Sequence, residues 1–412
     1  MDRLAAESEA SAAGAPRTPP PGGGGGEPRA HASLTWVAAI CGLLSLLVMT
    51  ADLGWQALLM GIVLAVLPVP IYVMMALWLD RFEPEPARTL AQTFAWGASV
   101  AILLALLLNT WAETRLGQMI GDETARRFGA VVTAPLIEEI SKGLALLWLF
   151  HELRDEFDGV VDGVVYASMV GLGFAMLENV QYYGEAIREG HHSSMITFAI
   201  RGVVGPFAHP LFSSMLGMGL GYARERHDPR TYRWAPPLGF AAAVTLHAVW
   251  NYAAGRDDVL FMTLYALVMV PAFLGVLVII YHSLKREGAV IREHLAALVE
   301  RGVIDHDELD RLCVVRHRLR ATWRAWRAGG IPSWRERREL HRIASELAFH
   351  RWRVARGLGK GGEHDAERDA EYLRRLEALC QARAAGNTGT GDQSSSIGLD
   401  PGPDGPRAPT GG

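Results

Sequence analysis

Apolar residues in the middle of this chain fall into blocks separated by short polar stretches. Each block approaches the roughly 20 residues that an α-helix, rising about 1.5 Å per residue, needs to cross a bilayer core. The pattern predicts helices at 34–50, 56–79, 91–111, 131–150, 163–183, 195–223, 236–254 and 259–284. The expected fold is therefore all-α: a polytopic membrane helix bundle of about eight transmembrane helices with a soluble helical tail. Gly205, Pro206 and Pro210 interrupt the sixth block and predict a broken or kinked helix, because proline removes a backbone donor.

From Glu287 onward the apolar positions thin out but keep helical spacing, and Leu295, Leu298, Leu309 and Leu312 predict an amphipathic hairpin. The two ends are rich in Gly, Pro, Ala and Ser and cannot bury enough apolar surface to offset ordering. The expected plan is a disordered leader (1–33), a transmembrane domain (34–284), an Arg/Trp-rich helical tail (285–385) and a disordered end (386–412). The leader is too polar for a signal peptide, so the first apolar segment is expected to stay as an anchor.

Composition adds little until it is placed along the chain. The 412 residues carry a formal net charge of -4, and that near-balance hides a nearly uncharged centre and a tail crowded with Arg and Glu. The three cysteines, Cys41, Cys313 and Cys380, show no CxxC spacing, which argues against a disulfide framework or a thiolate zinc site. Arg224, Arg226, Arg230 and Arg233 lie in a loop on the same side as both ends if the spans number eight. The positive-inside rule then predicts a plasma-membrane protein with cytoplasmic termini, although Arg115, Arg126 and Arg127 pull weakly the other way. In the tail, Arg316, Arg318, Arg320, Arg324 and Arg327 interleave with Trp323 and Trp326. That run reads either as a helix lying on anionic lipid headgroups or as a solvated charged face. A nucleic-acid partner is disfavoured, because a tethered tail already has an anionic surface beside it.

Ionisable residues inside the membrane blocks change the picture most. The fourth block holds Glu138, Glu139 and Lys142, the fifth Glu178 and Asn179, the sixth Arg201 and His209, and the seventh His247 and Asn251. Each charge at bilayer depth costs roughly 2.5–3.5 kcal/mol on insertion scales, so such residues mark function by default. Glu138 and Glu139 sit four and three residues before Lys142, close enough for the lysine to hold one carboxylate ionised. His247 and Asn251 share a helix face, where the amide can orient the imidazole. Counted from the outer ends of the predicted helices, Glu138, Glu178, Arg201 and His247 all fall roughly 8–10 Å deep, and His209 nearer 20 Å if its helix is regular. A shared layer suits water activation, with one carboxylate as general base and another acid donating to a leaving amine. Two histidines and a carboxylate (His209, His247 and Glu178) can also hold zinc or another divalent metal.

The ordered motifs resemble the PrsW family of intramembrane proteases, which belongs with the CAAX-processing and related glutamate-motif membrane proteases. Glu138-Glu139-Ile140-Ser141-Lys142 resembles the family's EExxK motif, and Phe174 through Glu178-Asn179 its FxxxEN motif. Arg201 through His209, followed by Gly217 and Gly221, resembles the third motif, and His247 through Asn251 the final HxxxN. Asp80-Arg81-Phe82-Glu83-Pro84-Glu85-Pro86 is similar to the family's acidic, proline-containing loop. The resemblance covers residues 55–284 and implies a hydrolase that cleaves a single-pass membrane protein, such as an anti-sigma factor, near or within the bilayer. It implies Glu138 and Glu139 as the catalytic pair, with His209 and His247 as metal ligands or acid/base partners, and Glu178 beside them. Lys142, Asn179, Arg201 and Asn251 then take supporting roles. The same polar layer also suits a proton- or ion-coupled transporter or a non-catalytic scaffold, although no internal repeat of the transporter kind is evident.

Overall fold

The computed structural model describes residues 27–388, apart from 80, 81, 83, 155 and 360. Most of the expected leader, the expected end beyond 388, and Asp80, Arg81 and Glu83 of the acidic loop lie outside the described residues. Among the described residues every regular element is helical. In chain order the membrane helices are α1 (Glu27–Leu53), α2 (Trp55–Leu79), α3 (Ala87–Ile120), α4 (Ala134–Glu152), α5 (Val160–Glu189), α6 (Ala208–Arg226), α7 (Pro229–Ala254) and α8 (Asp258–Glu300). A short helix, Asp122–Phe128, leads into α4, and another, His191–Phe198, leads toward α6.

Six segments are long and apolar enough to cross a membrane: Leu34–Leu53, α2, α3, α5, His192–Arg226 and α8. The two membrane helices missing from that set, α4 and α7, carry Glu138, Glu139, Lys142, His247 and Asn251, whose polarity lowers their hydropathy. Connectivity makes them cross too. Thr35 at the start of α1 meets Gln92 at the start of α3, so these ends share a face. Phe82, Asp158 and Glu225 contact the tail or its root, which puts the loops after α2, α4 and α6 on that same face. Alternation then gives eight passes, with the start of α1 and the end of α8 on one side.

At the centre stands α5, 89% buried across its apolar window, so protein rather than lipid covers it. Glycines allow that enclosure. Gly163 and Gly217 face each other across the α5–α6 contact, each occupying the space a Cβ on the other would need. A methyl group on Gly171 would lie 2.8 Å from the His209 carbonyl, so this glycine lets α6 close on α5 at the level of His209.

The predicted break in the sixth span is present. The chain runs from His191–Phe198 into a π-helical stretch, Ala199–Val204, turns at Gly205–Phe207, and restarts as α6. π-Helical turns leave carbonyls without regular partners, and in a membrane these must be satisfied from neighbouring helices. Tyr265 donates to the Val204 carbonyl at 3.2 Å. A second π stretch, Gly129–Thr133, precedes α4, and Asn251 donates to its Ala130 carbonyl at 2.9 Å.

Beyond the bundle, α8 continues without a break into the tail, where it joins α9 (His306–Cys313), α10 (Val315–Ala355) and α11 (Gly362–Thr388). Leu295, Leu298, Leu309 and Leu312, the expected hairpin residues, are buried in a core with Leu340, Leu347 and Leu376. α10 folds back on itself at Gly329–Gly330, where Gly330 takes a φ of 65° that favours glycine. The Arg/Trp run does not share one face. Arg318 turns inward, donating to the carbonyls of Leu312 (2.8 Å) and His341 (3.1 Å) and to Ser345, and burial pulls its pKa down to about 9. Trp323 and Trp326 stay about half exposed, at 54% and 52%.

Candidate active site in the membrane helices

α4, α5, α6, α7 and the π stretch before α6 bring the polar residues of the predicted layer together. Glu138 and Glu139 are neighbours on α4, yet their surroundings differ. Glu139 is fully engaged: Lys142 Nζ donates to its Oε1 at 2.5 Å, His247 Nδ1 lies 2.9 Å from the same oxygen, and Ser213 Oγ donates to Oε2 at 3.3 Å. Glu138 has only Asn109 Nδ2 near Oε1, at 3.5 Å, while its buried Oε2 has no hydrogen-bond partner. The expected charge partnership of Lys142 therefore falls on Glu139, and Glu138 is the carboxylate left free.

Both histidines are held by ionisable neighbours. An ionised carboxylate only accepts, so His247 Nδ1 donates to Glu139 and turns Nε2 toward Glu138 Oε2, 3.6 Å away. Phe212 stacks on the imidazole at 4.8 Å between ring centroids and fixes its plane. An ammonium only donates, so Lys142 Nζ, 3.1 Å from His209 Nδ1, makes that nitrogen the acceptor. His209 Nε2 then carries the proton and donates to Glu178 Oε2 at 2.9 Å. Lys142 is completely buried and also lies 4.6 Å from the Phe174 ring centroid.

Glu178 occupies the rim. Arg201, carried inward by the π stretch, forms an ion pair with it and donates through Nε to Asn179 Oδ1 at 2.6 Å. The guanidinium also packs over Tyr182, 3.7 Å from its ring centroid. Arg201 and Glu178 keep 18% and 14% side-chain exposure, more than the histidines and paired glutamates, so the site is approached past them.

Two sequence assignments change. The expected metal set was His209, His247 and Glu178, but among the described residues the group whose ligand atoms lie within 4.8 Å of one another is Glu138, His209 and His247. Glu178 is instead held by Arg201 and takes the proton side of His209. Asn251 was expected to orient His247; it binds the π-helical Ala130 carbonyl, and Glu139 orients the imidazole. Sequence reasoning missed Asn109, Ser213 and Phe212. The available signals were an amide inside the apolar α3 and a hydroxyl one helical turn after His209.

The donor chemistry suits a divalent cation. Glu138 Oε2 is an orphaned buried oxygen 3.6 Å from His247 Nε2, a gap that a proton or a cation would bridge. One oxygen and two imidazole nitrogens are a common zinc set.

Residues 85–276 match the family described as PrsW family intramembrane metalloprotease. The chain is 28% identical over 174 residues to Protease PrsW of Geobacillus kaustophilus, covering 42% of this chain and 70% of that protein. It is 29% identical over 152 residues to Protease PrsW of Oceanobacillus iheyensis, covering 37% and 63% respectively. Over 189 residues it is 24% identical to Protease PrsW of Clostridioides difficile, covering 46% and 76%. No solved structure shows a significant match to the chain. The matched stretch runs from Glu85 to Val276, a little under half of the chain, and contains every polar side chain just described; over it this multi-pass membrane protein is similar to the PrsW family of intramembrane metalloproteases.

Proposed function

We propose that the chain hydrolyses a peptide bond in a single-pass membrane protein, using Glu138 as general base toward water. The observation that carries this reading is the contrast between the paired glutamates: Glu139 has its partners, whereas Glu138 presents a buried free oxygen beside His247. Glu138 takes a proton as the water oxygen bonds to the scissile carbonyl carbon. When the carbon–nitrogen bond breaks, that proton passes to the leaving amine. Glu139 and Lys142 act as positioning residues, fixing His247 and His209, and Arg201 with Asn179 positions Glu178. The family resemblance extends the proposal to a signalling regulator, such as an anti-sigma factor, as substrate.

Glu138, His209 and His247 would hold a divalent ion, and zinc fits their donor types; one Glu138 oxygen would then serve as ligand and the other would take the proton from water. When bound, such an ion supplies Lewis acidity that makes water nucleophilic near neutral pH. Both nitrogens of His209 are engaged, so ligation there exchanges its contact with Lys142 or with Glu178. Arg224 and Arg226, expected in a loop but placed at the end of α6, and Arg230 and Arg233 at the start of α7 support a cytoplasmic position for both ends in the plasma membrane.

The test is reconstitution in liposomes with a tagged single-pass substrate, comparing wild type with Glu138→Gln, Glu139→Gln, His209→Gln and His247→Gln. Loss of cleavage in Glu138→Gln and His247→Gln, with the fold retained, is expected. Wild-type cleavage by all four variants refutes the site.

A further inference from the structure

The tail contains a second constellation that the membrane site does not use. α10 doubles back at Gly329–Gly330, and its first arm, α9, its second arm and the end of α11 enclose a cleft of about 650 Å³. His317, Arg320, Ala321, Arg324, Ala325 and Ala328 line it from the first arm. These positions recur at helical spacing and form one stripe, in which the alanines leave the room and the arginines supply the charge. Arg311, Arg337 and Arg383 close the cleft from the other elements.

Its charge is unbalanced. Five arginines line the cleft against two aspartates, Asp307 and Asp310, and Arg292 outside the cleft already pairs with Asp310 at 2.5 Å. Arg311 reaches Asp307 at 3.6 Å and Glu308 at 3.1 Å, and Arg383 lies 3.7 Å from Glu308. Arg320 and Arg324 have no acidic partner among the described residues. Arg337 is the strongest sign of an absent ligand. It is 1% exposed, and one nitrogen lies 2.6 Å from Glu308, but Nε and Nη2 are buried without a hydrogen-bond partner. A buried guanidinium with unused donors costs free energy that a charge-assisted bond recovers.

We propose that this cleft binds a small phosphate-bearing anion, with Arg337 at its floor and Arg320 and Arg324 at its mouth. Arginine forks match tetrahedral oxyanions, and the volume lies in the range of small-molecule sites, roughly 300–1,000 Å³. The phosphate belongs either to a soluble compound or to a lipid headgroup at the adjacent bilayer, and the chemistry of recognition is the same. Because α8 runs unbroken from the membrane into the tail core, an anion that tightens the cleft stiffens the root of a membrane helix.

The experiment uses full-length protein in phosphatidylcholine nanodiscs, titrated with inorganic pyrophosphate. Calorimetry and hydrogen exchange over residues 306–345 supply the readouts, and neither depends on protease activity. A second arm replaces part of the phosphatidylcholine with phosphatidylglycerol. Arg320→Gln/Arg324→Gln is the test variant; Arg316→Gln/Arg327→Gln, with the same charge loss outside the cleft, is the control. We expect protection of the cleft peptides that weakens about ten-fold or more in the test variant, for the loss of two charge-assisted contacts, and is unchanged in the control. Protection by pyrophosphate identifies a soluble source, and protection by phosphatidylglycerol alone identifies a headgroup. Equal weakening of both variants, or no protection in either arm, overturns the proposal.

Discussion

Replacing Lys142 by methionine keeps most of the side-chain volume and removes a charge from a position with no solvent exposure. The ammonium sits 2.5 Å from Glu139 Oε1 and 3.1 Å from His209 Nδ1. At that first separation an effective dielectric of about 20 gives roughly 7 kcal/mol of attraction, much of it offset by the desolvation of both ions. Lys142→Met strands the Glu139 carboxylate with only His247 and Ser213, and breaking a buried pair in this way costs about 3–5 kcal/mol. Adding Glu139→Gln removes the stranded charge, so the double variant is expected to recover about 2–3 kcal/mol. Thermal unfolding in detergent micelles, followed by tryptophan fluorescence, reads this out. The single variant is expected to melt about 10 °C lower than wild type, and the double variant to regain at least half of that loss. A loss below about 1 kcal/mol for Lys142→Met, or no recovery in the double variant, would refute the reading of Lys142 as the counter-charge of Glu139.

Glu138→Gln is expected to lower cleavage by about 10²–10⁴-fold with little change in thermal stability, because the oxygen it alters has no partner to lose; a large drop in melting temperature would instead mark Glu138 as structural. Metal analysis of purified protein should find a divalent ion that is lost in His247→Gln but retained in Arg201→Gln; equal content in both would detach the ion from the buried triad. In the tail, burial together with Arg318 and Arg337 holds the His341 pKa well below the usual imidazole range. The unfolded chain alone then takes up this proton as pH falls below about 6.5, so stability drops by up to roughly 1.4 kcal/mol per pH unit. Hydrogen exchange of the tail at pH 7 and pH 5.5 should show this loosening, and His341→Phe should flatten it. Gly171→Val is expected to separate α5 from α6 at His209, costing about 1–3 kcal/mol and most of the cleavage; an active, stable Gly171→Val enzyme would show that this close approach is not needed.

The membrane helices were legible because an uninterrupted apolar length has one physical use, and the break at Gly205–Phe207 was legible because proline cannot continue a hydrogen-bonded helix. The residues of the site were also readable, since each is a charge or an imidazole where lipid would exclude it. Their pairing was not. Spacing along α4 allows either glutamate to meet Lys142, and only the placement of Ser213 and His247 on other helices selects Glu139. The rotation of α5 against α6, set by Gly171, decides that Glu178 meets Arg201 and the Nε2 of His209, leaving Glu138 to face His247. Asn251 escaped for a different reason: its partner carbonyl at Ala130 is released by a π-helical stretch that propensity does not foretell. In the tail, alternating arginines look alike in sequence, and the fold of α10 sends Arg318 to the core while Arg320 and Arg324 face the cleft.

The helices that carry the paired glutamates and His247 are the two whose own composition falls short of a membrane span. Each ionised group near the middle of α4 opposes insertion by roughly 2.5–3.5 kcal/mol, so α4 depends on protein partners to hold it in the bilayer. The partners are α3 with its Asn109, α6 with His209 and Ser213, and α7 with His247. The greasy segments can hold the bilayer by their own composition, whereas the helices that carry the paired glutamates and His247 are held there by the company they complete. A ribosome-bound fragment ending before α7 has no assembled pair of acid and imidazole to expose to bystander membrane proteins, and the cell is spared a protease that works before it is whole.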